Sequence, residues 1–233
     1  MNAFTSLSLR FTTVFFLECD GGVLQIDTGY KKEYTTYVQT LDTMGFALSE
    51  ITYLLLTHHH DDHAGFAQAL LQDSGAKLIV HEHALPFIRT GTVDDVGEYV
   101  NWCIRLLGAG FFLFHNCTYP PISIRKTDRI LEGDSSILRD CGIPGQIVYT
   151  PGHTTDSISV IVGDNAFVGD AAMNFFNFCH IQCRPIIIQN TEQVYQSWNR
   201  IISCGVKTIY PAHGGSFSVD RLKRAHEKFK KKL

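Results

Sequence analysis

The chain has 233 residues, 45% of them hydrophobic, and a formal charge of −3, with a mean hydropathy near zero. That length and balance allow a large buried core in one domain or two, and candidate ligands drawn from both halves argue for one, spanning residues 1–233. No apolar run approaches the length of a membrane span, and a small negative charge gives no reason to expect nucleic acid as a partner.

In chain order, residues 11–17 form the first apolar run. It lies behind Arg10 and runs into Glu18 and Asp20 rather than a small-residue cleavage site, so it reads as a strand and not a signal peptide. A second strand at 23–26 leads to a helix, then to a buried strand at 51–56 with a helix behind it. Residues 84–122 form a helical, aromatic-rich insertion between the halves, carrying Trp102, Phe111, Phe112, Phe114 and Tyr119. Strands at 146–149, 158–162 and 166–168 follow, then a helix at 192–203, a strand at 207–210 and a helix at 219–230. There is no low-complexity linker and no internal repeat, but the order of elements is doubled. Two packed mixed sheets with helices outside, an α/β sandwich, satisfy it.

The chemistry is concentrated where strands end. After the strand at 51–56 come Thr57-His58-His59-His60-Asp61-Asp62-His63-Ala64-Gly65. In extended backbone, side chains two apart share a side, so His58 and His60 can chelate one ion. Asp62 and His63, at the start of the next helix, are turned toward a neighbouring position. Such a polar run could also be a solvated loop or a tag-like tract. Against that, three distant candidates share one context: His153 after Tyr-Thr-Pro-Gly, Asp170 after Ala-Phe-Val-Gly and His213 after Ile-Tyr-Pro-Ala. Side chains presented from several strand ends of an α/β sheet converge on one crevice. Imidazole and carboxylate suit zinc, iron or manganese, and the absence of thiolate favours an open catalytic site over a closed structural one.

These motifs resemble those of the metallo-β-lactamase fold superfamily, the binuclear metallohydrolases. His58, His60, Asp62 and His63 match its His-x-His-x-Asp-His pattern, and His153, Asp170 and His213 match its later motifs. Leu24-Gln25-Ile26-Asp27-Thr28-Gly29 resembles the first, whose acid braces the metal loop from behind. The resemblance covers nearly the whole chain and implies a four-layer αβ/βα sandwich. It further implies that His58, His60 and His153 hold one metal, that Asp62, His63 and His213 hold a second, and that Asp170 bridges them. An aspartate suits a bridge because each of its oxygens can reach one ion.

Two divalent cations, zinc by preference with iron or manganese as alternatives, would lower the pKa of a shared water from 15.7 toward roughly 7, so no serine or cysteine nucleophile is needed. Asp62 would orient that water or take its proton. The reaction this implies is hydrolysis of an ester, thioester or lactone of a small molecule. The resemblance also narrows the substrate. True β-lactamases of the superfamily typically lack the bridging aspartate, which moves the reading toward the glyoxalase II-like and lactonase-like branches. Lactonases place a tyrosine where Met173 stands, and glyoxalase II-like enzymes carry a further helical region after the last ligand. A phosphoester substrate is the runner-up; a sensor that retains its metal site and an iron-dependent oxidoreductase are alternatives of other classes.

Met173, Phe175 and Phe176, followed by Phe178, stand beside the bridging aspartate and are candidates for a substrate pocket or an apolar lid, with packing into the core as the plain alternative. The remaining histidines, His59, His81, His83, His115, His180 and His226, match no motif position and read as surface or packing residues, and Asp61 as a residue serving its loop. The 7 cysteines include no Cys-x-x-Cys pair and read as free thiols in a reducing cytoplasm. Cations crowd the final helix at Arg221, Lys223, Arg224, Lys228, Lys230, Lys231 and Lys232, as suits a solvated helix C-terminus. The expected partner is a small molecule, with a homodimer left open.

Overall fold

The computed structural model describes residues 4–94, 97–112 and 117–230, with the backbone alone at 109–112 and 230. The first half is built on β1 (Phe4–Ser8), β2 (Thr13–Cys19), β3 (Gly22–Ile26), α1 (Tyr34–Thr43), β4 (Ile51–Leu55), α2 (Asp61–Ala64), α3 (Ala67–Ser74) and β5 (Lys77–His81). Next come α4 (Leu85–Ile88), β6 (Glu98–Tyr99), α5 (Trp102–Phe112) and β7 (Arg129–Leu131). The second half holds β8 (Gly145–Tyr149), β9 (Ile158–Val162), β10 (Asn165–Gly169), β11 (Ile187–Ile188), α6 (Thr191–Ser203), β12 (Thr208–Pro211), β13 (Phe217–Ser218) and α7 (Val219–Lys230).

One mixed sheet runs β1-β2-β3-β4-β5-β7, with β3, β4, β5 and β7 parallel; the other runs β13-β12-β10-β9-β8, with β10 and β12 parallel. The sequence explains why they stack. In β2, Val14 and Phe16 face one side and Phe15 and Leu17 the other, and all four are buried. Phe15, Leu17, Leu24, Ile26 and Leu55 of the first sheet meet Ile147, Ile158, Val160 and Phe167 of the second in an inner core. The opposite faces are covered by helices: Tyr37, Leu41 and Leu70 of α1 and α3 pack on the first sheet. Trp198, Ile201, Leu222 and Phe229 of α6 and α7 cover the second. Period-two alternation with both parities apolar therefore yields helix–sheet–sheet–helix layering. Local signals agree: the Asn190 side chain accepts from the Gln193 N–H at 3.0 Å to cap α6, and Gly75 at φ 74° closes α3.

Some elements differ from the reading of the sequence. The first long strand begins at Thr13, because Leu9 N–H bonds to the Thr12 carbonyl in a turn that contains Phe11. β1, an edge strand with little burial, pairs with β2 ahead of it. Among the described residues of 84–122, helices α4 and α5 are separated by β6, which pairs with β11. Trp102 is 75% exposed, whereas Tyr119 belongs to the core beneath the first sheet. Phe114 and His115 lie outside the described residues, as do the side chains of Phe111 and Phe112.

The cysteines need a correction. Cys103 of α5 and Cys179 form a disulfide with Cα atoms 5.7 Å apart, while Cys19, Cys117, Cys141, Cys183 and Cys204 are free. The partners are separated by 76 residues, so no local spacing could announce them. The bond ties α5 to the segment behind Asp170. A loop of this size contributes on the order of 4 kcal/mol by constraining the unfolded chain. Cys103→Ser is expected to lower the unfolding free energy by about that amount in non-reducing buffer and to match the parent protein in excess dithiothreitol. Alkylation counts by mass spectrometry before and after reduction check the pairing itself.

Candidate metal centre

The chain leaves β4 through a bend at Thr57 and His58, is extended at His60, and enters α2 with Asp61 and Asp62 in its first turn, where carboxylates suit the helix N-terminus. The loops after β8, β10 and β12 carry His153, Asp170 and His213. Because β9 is antiparallel to both β8 and β10, those three loops leave the second sheet along one edge. That edge is stitched to the first sheet by Ile158 N–H donating to the Thr57 carbonyl at 2.9 Å and Thr13 N–H to the Ala212 carbonyl at 2.8 Å. Gly169, at φ 50°, sits where a Cβ would run into the Thr57 hydroxyl. The glycine thereby brings the Asp170 loop directly against the histidine loop.

All the predicted site residues come together. His153 Nε2 lies 3.2 Å from His58 Nε2 and 3.1 Å from His60 Nδ1. Beside them, His213 Nε2 is 3.2 Å from Asp62 Oδ2, and His63 Nε2 is 3.7 Å from Asp62 Oδ1. Asp170 reaches both groups: its Oδ1 is 3.3 Å from His213 Nε2 and 3.5 Å from His63 Nε2, and its Oδ2 is 3.5 Å from His153 Nε2. Within each triplet, His58/His60/His153 and Asp62/His63/His213, the donor atoms lie within 4.8 Å of one another.

The hydrogen bonds behind the rings fix which nitrogen faces the centre. His153 Nδ1 donates to the Ile187 carbonyl at 2.8 Å and His213 Nδ1 to the Phe11 carbonyl at 2.9 Å. His63 Nδ1 donates to Asp27 Oδ2 at 2.9 Å. Thr57 spends its one hydroxyl proton on Asp27 Oδ2 at 2.7 Å, so its oxygen accepts from His58 Nδ1 at 3.1 Å. All four histidines therefore turn Nε2 inward. His58 and His153 meet there with unprotonated nitrogens, lone pair facing lone pair, an arrangement that a cation satisfies, while His63 and His213 point Nε2 at the carboxylates of Asp62 and Asp170. His63 Nε2 and Asp170 Oδ1 are moreover buried without a hydrogen-bond partner among the described residues, which native interiors avoid.

Electrostatics divides the centre in two. Burial, then the neighbouring His63 and His60, push the His58 imidazole well below its ordinary value; burial and His60 take His153 down to about 4. Around the second triplet, burial also disfavours the charged imidazole, but Asp170 and Asp62 outweigh it and hold His213 at about 10. Burial would raise the Asp170 carboxyl, yet His213 and His63 keep it well below the usual carboxylate range. Both halves are built to take positive charge, the first as neutral imidazoles and the second as imidazoles among acids.

Asp27 braces the loop as expected: beyond His63 it accepts from the Thr57 N–H at 2.7 Å, and it does so from φ 61°, a left-handed conformation that aspartate tolerates better than most residues. Three residues were missed. Asp94 Oδ1 stands 3.5 Å from His60 Nε2 and 3.4 Å from His59 Nε2, orienting the one histidine that presents Nδ1. Of the two readings given for His59, the structure bears out packing: it is fully buried, stacked on Phe87 and bonded to Asp156 at 2.8 Å. Burial disfavours its charge, but Asp156 overcomes that and lifts it to about 9. Asp156 follows His153 closely in sequence, the one signal that could have pointed to the pair; Asp94 sits in a segment with no periodicity. His81 and His226 are buried packing residues and His83 and His180 are exposed. Asp61 is buried and lines the cavity but belongs to neither triplet.

The centre opens into a cavity of about 490 Å³, in whose wall Met173, Phe175 and Phe176 all stand. Met173 is buried, Phe175 and Phe176 are half-buried, and Phe178 is 70% exposed and outside the wall. The predicted pocket residues thus line one cavity with His60, Asp62, His153, Asp170 and His213.

An α/β sandwich with a histidine–aspartate cluster at converging strand ends defines a class of metal-binding hydrolase folds. A family model described as the metallo-beta-lactamase superfamily matches residues 7–213, and the chain belongs to that superfamily. The metallo-beta-lactamase fold-containing protein ST1585 of Sulfurisphaera tokodaii is 28% identical over 172 residues, covering 73% of this chain and 63% of that protein. A hydroxyacylglutathione hydrolase of Shewanella pealeana is 25% identical over 148 residues, covering 64% of this chain and 41% of that enzyme. The chain thus spans less than two thirds of the length of these curated relatives. Among solved structures, the subclass B3 metallo-beta-lactamase BJP-1 of Bradyrhizobium japonicum superimposes with a TM-score of 0.67 at 15% identity, covering 100% of this chain and 91% of that one; at that identity the likeness concerns the fold. Among the described residues, no helix is long and apolar enough to cross a membrane.

Proposed function

We propose that the protein is a hydrolase that binds a pair of divalent cations, zinc by preference, and cleaves an ester, thioester or lactone of a small molecule. The observation that carries this reading is the inward set of donor atoms: Nε2 atoms of four histidines, with Asp170 between the two triplets and the buried His63 Nε2 and Asp170 Oδ1 left without hydrogen-bond partners among the described residues. The donors are imidazole and carboxylate without thiolate, which fits zinc in an open site. His58, His60 and His153 would hold one ion, Asp62, His63 and His213 the other, and Asp170 both. When bound, such a pair supplies Lewis acidity toward the scissile carbonyl and activates water at neutral pH.

The chain's own residues supply the rest. Asp170, buried and kept ionised by its histidines, contributes an oxygen to each triplet. Asp62 combines a place in the second triplet with a place in the cavity wall, so its carboxylate is positioned to orient the attacking water and accept a proton. The hydrogen bonds from His153, His213 and His63 to Ile187, Phe11 and Asp27 fix the rings before substrate arrives, the preorganisation that such centres require. Met173, Phe175 and Phe176 exclude bulk water from one side. The same reading takes the partner to be a small molecule in the cytoplasm.

The test is metal analysis of zinc-loaded protein coupled to a hydrolysis screen over lactones, thioesters, carboxylic esters and phosphodiesters. About two zinc equivalents and turnover of an ester-type substrate are expected; iron-dependent colour that tracks oxygen consumption would favour an oxidoreductase instead. Chelation should lower the thermal midpoint, since cation at ~1,000 times its dissociation constant stabilises the fold by about 4 kcal/mol. An unchanged melting curve after complete metal removal would contradict the ligand assignment.

A further inference from the structure

The cavity above the metal centre has an unusual charge inventory. Its apolar wall includes Tyr99, Ile104, Leu107, Phe176 and Ile187, contributed by α5, β6, β11 and the segment behind Asp170, with Val93 from the stretch between α4 and β6. Its acids are Asp61, Asp62, Asp94 and Asp170, and no lysine or arginine lines it among the described residues. The two internal stretches outside those residues carry none in sequence: residues 95–96 are Asp-Val and 113–116 are Leu-Phe-His-Asn. With Asp62 and Asp170 engaged by cations, no lysine or arginine of the described lining remains to meet an anion. An anionic group carried into this space away from the metals would lose its hydration and meet no counter-charge, a costly combination. A hydrocarbon chain entering the same space would instead gain about 0.8 kcal/mol for each methylene removed from water. The cavity's volume suits a drug-sized molecule. The disulfide from Cys103 to Cys179 ties two of its walls together, because Ile104 and Leu107 follow Cys103 on α5 while Phe175 and Phe176 precede Cys179.

Resting on the hydrolase reading above, we propose that the substrate is a neutral ester-type molecule with an apolar acyl part, which lies between α5 and the Phe175–Phe176 wall while its carbonyl sits at the metal ligands. Substrates with a second, distal anion are rejected by a wall that carries no lysine or arginine among the described residues. Specificity then comes from the length of the acyl part and from the absence of charge at its far end.

The test uses zinc-loaded protein and a matched pair of non-hydrolysable ligands, undecan-2-one and 10-oxoundecanoate, titrated by calorimetry, together with hydrolysis of 4-nitrophenyl esters from acetate to decanoate. The ketone is expected to bind at least about tenfold more tightly than its carboxylated counterpart, and affinity across shorter methyl ketones should rise about three- to fourfold per methylene until the cavity is filled. Leu107→Lys should narrow the gap between the pair several-fold by supplying a cation. Leu106→Lys, one residue away on the same helix, largely exposed and outside the cavity wall, should leave the gap unchanged. Equal or tighter binding of 10-oxoundecanoate, affinity independent of chain length, or equal effects of the two lysine variants would each overturn the proposal. Chain-length-dependent ketone binding with no ester turned over would instead overturn the hydrolase reading while supporting the assigned ligand class. Ester hydrolysis that ignores chain length would do the reverse.

Discussion

Asp170→Ala is expected to lose the paired cations and to reduce turnover by on the order of 10³-fold or more, about 4 kcal/mol of transition-state stabilisation. Asp170 reaches both triplets from between them: Oδ1 faces His213 and His63, and Oδ2 faces His153. Removing it takes away a carboxylate that lies within 3.5 Å of three imidazoles and leaves none shared between the sites. The loss should appear first in metal content, measured on protein desalted after zinc loading, and then in rate. Asp61→Ala is the contrast. Asp61 lies in the same loop, one residue before Asp62, yet belongs to neither triplet, so this variant should keep both cations. Equal losses in the two variants would show that the ligands have been misassigned.

The second large effect is expected at Asp27, which touches no cation in this arrangement. Its carboxylate accepts from His63 Nδ1 at 2.9 Å, Thr57 N–H at 2.7 Å and the Thr57 hydroxyl at 2.7 Å, all buried. Asp27→Ala orphans these donors together and releases the ring of His63. Breaking a buried charged network in this way costs about 3–5 kcal/mol, and loss of an outer partner typically weakens metal binding ~10–100-fold. Asp27→Asn keeps the backbone tolerance for positive φ and one accepting oxygen, so it should fall between the variant and the parent. Urea unfolding and titration against a competing chelator read the two effects separately. A fully stable Asp27→Ala protein with parental zinc affinity would mean that the histidine loop is held by something other than this network.

The layering was legible because strands such as β2 and β10 are apolar on both parities, which leaves no choice but two covered faces. The convergence of the histidines and aspartates was legible because they come in short motifs at strand ends, each tied to a Gly- or Pro-marked turn. The partners of those residues were harder to see. Asp94 contacts His60 and His59 across the insertion, and nothing in its own neighbourhood distinguishes it from a solvated acid. His59 reads as one more polar residue in a polar run, yet its direction into the core against Phe87 and Asp156 is decided by tertiary packing. The Cys103–Cys179 bond depends on how α5 folds back over the segment behind Asp170, a contact with no local spacing to betray it. β1 escaped notice for the opposite reason: an edge strand with one paired side and half-exposed residues carries little apolar pattern.

The most direct measurement is an anomalous difference map at the zinc edge from crystals of zinc-loaded protein. Two neighbouring peaks are expected, one bonded to His58 Nε2, His60 Nδ1 and His153 Nε2 and the other to Asp62, His63 Nε2 and His213 Nε2, with Asp170 reaching both. A fully loaded crystal with no peak among these atoms, or with its zinc bound elsewhere on the chain, would contradict the account.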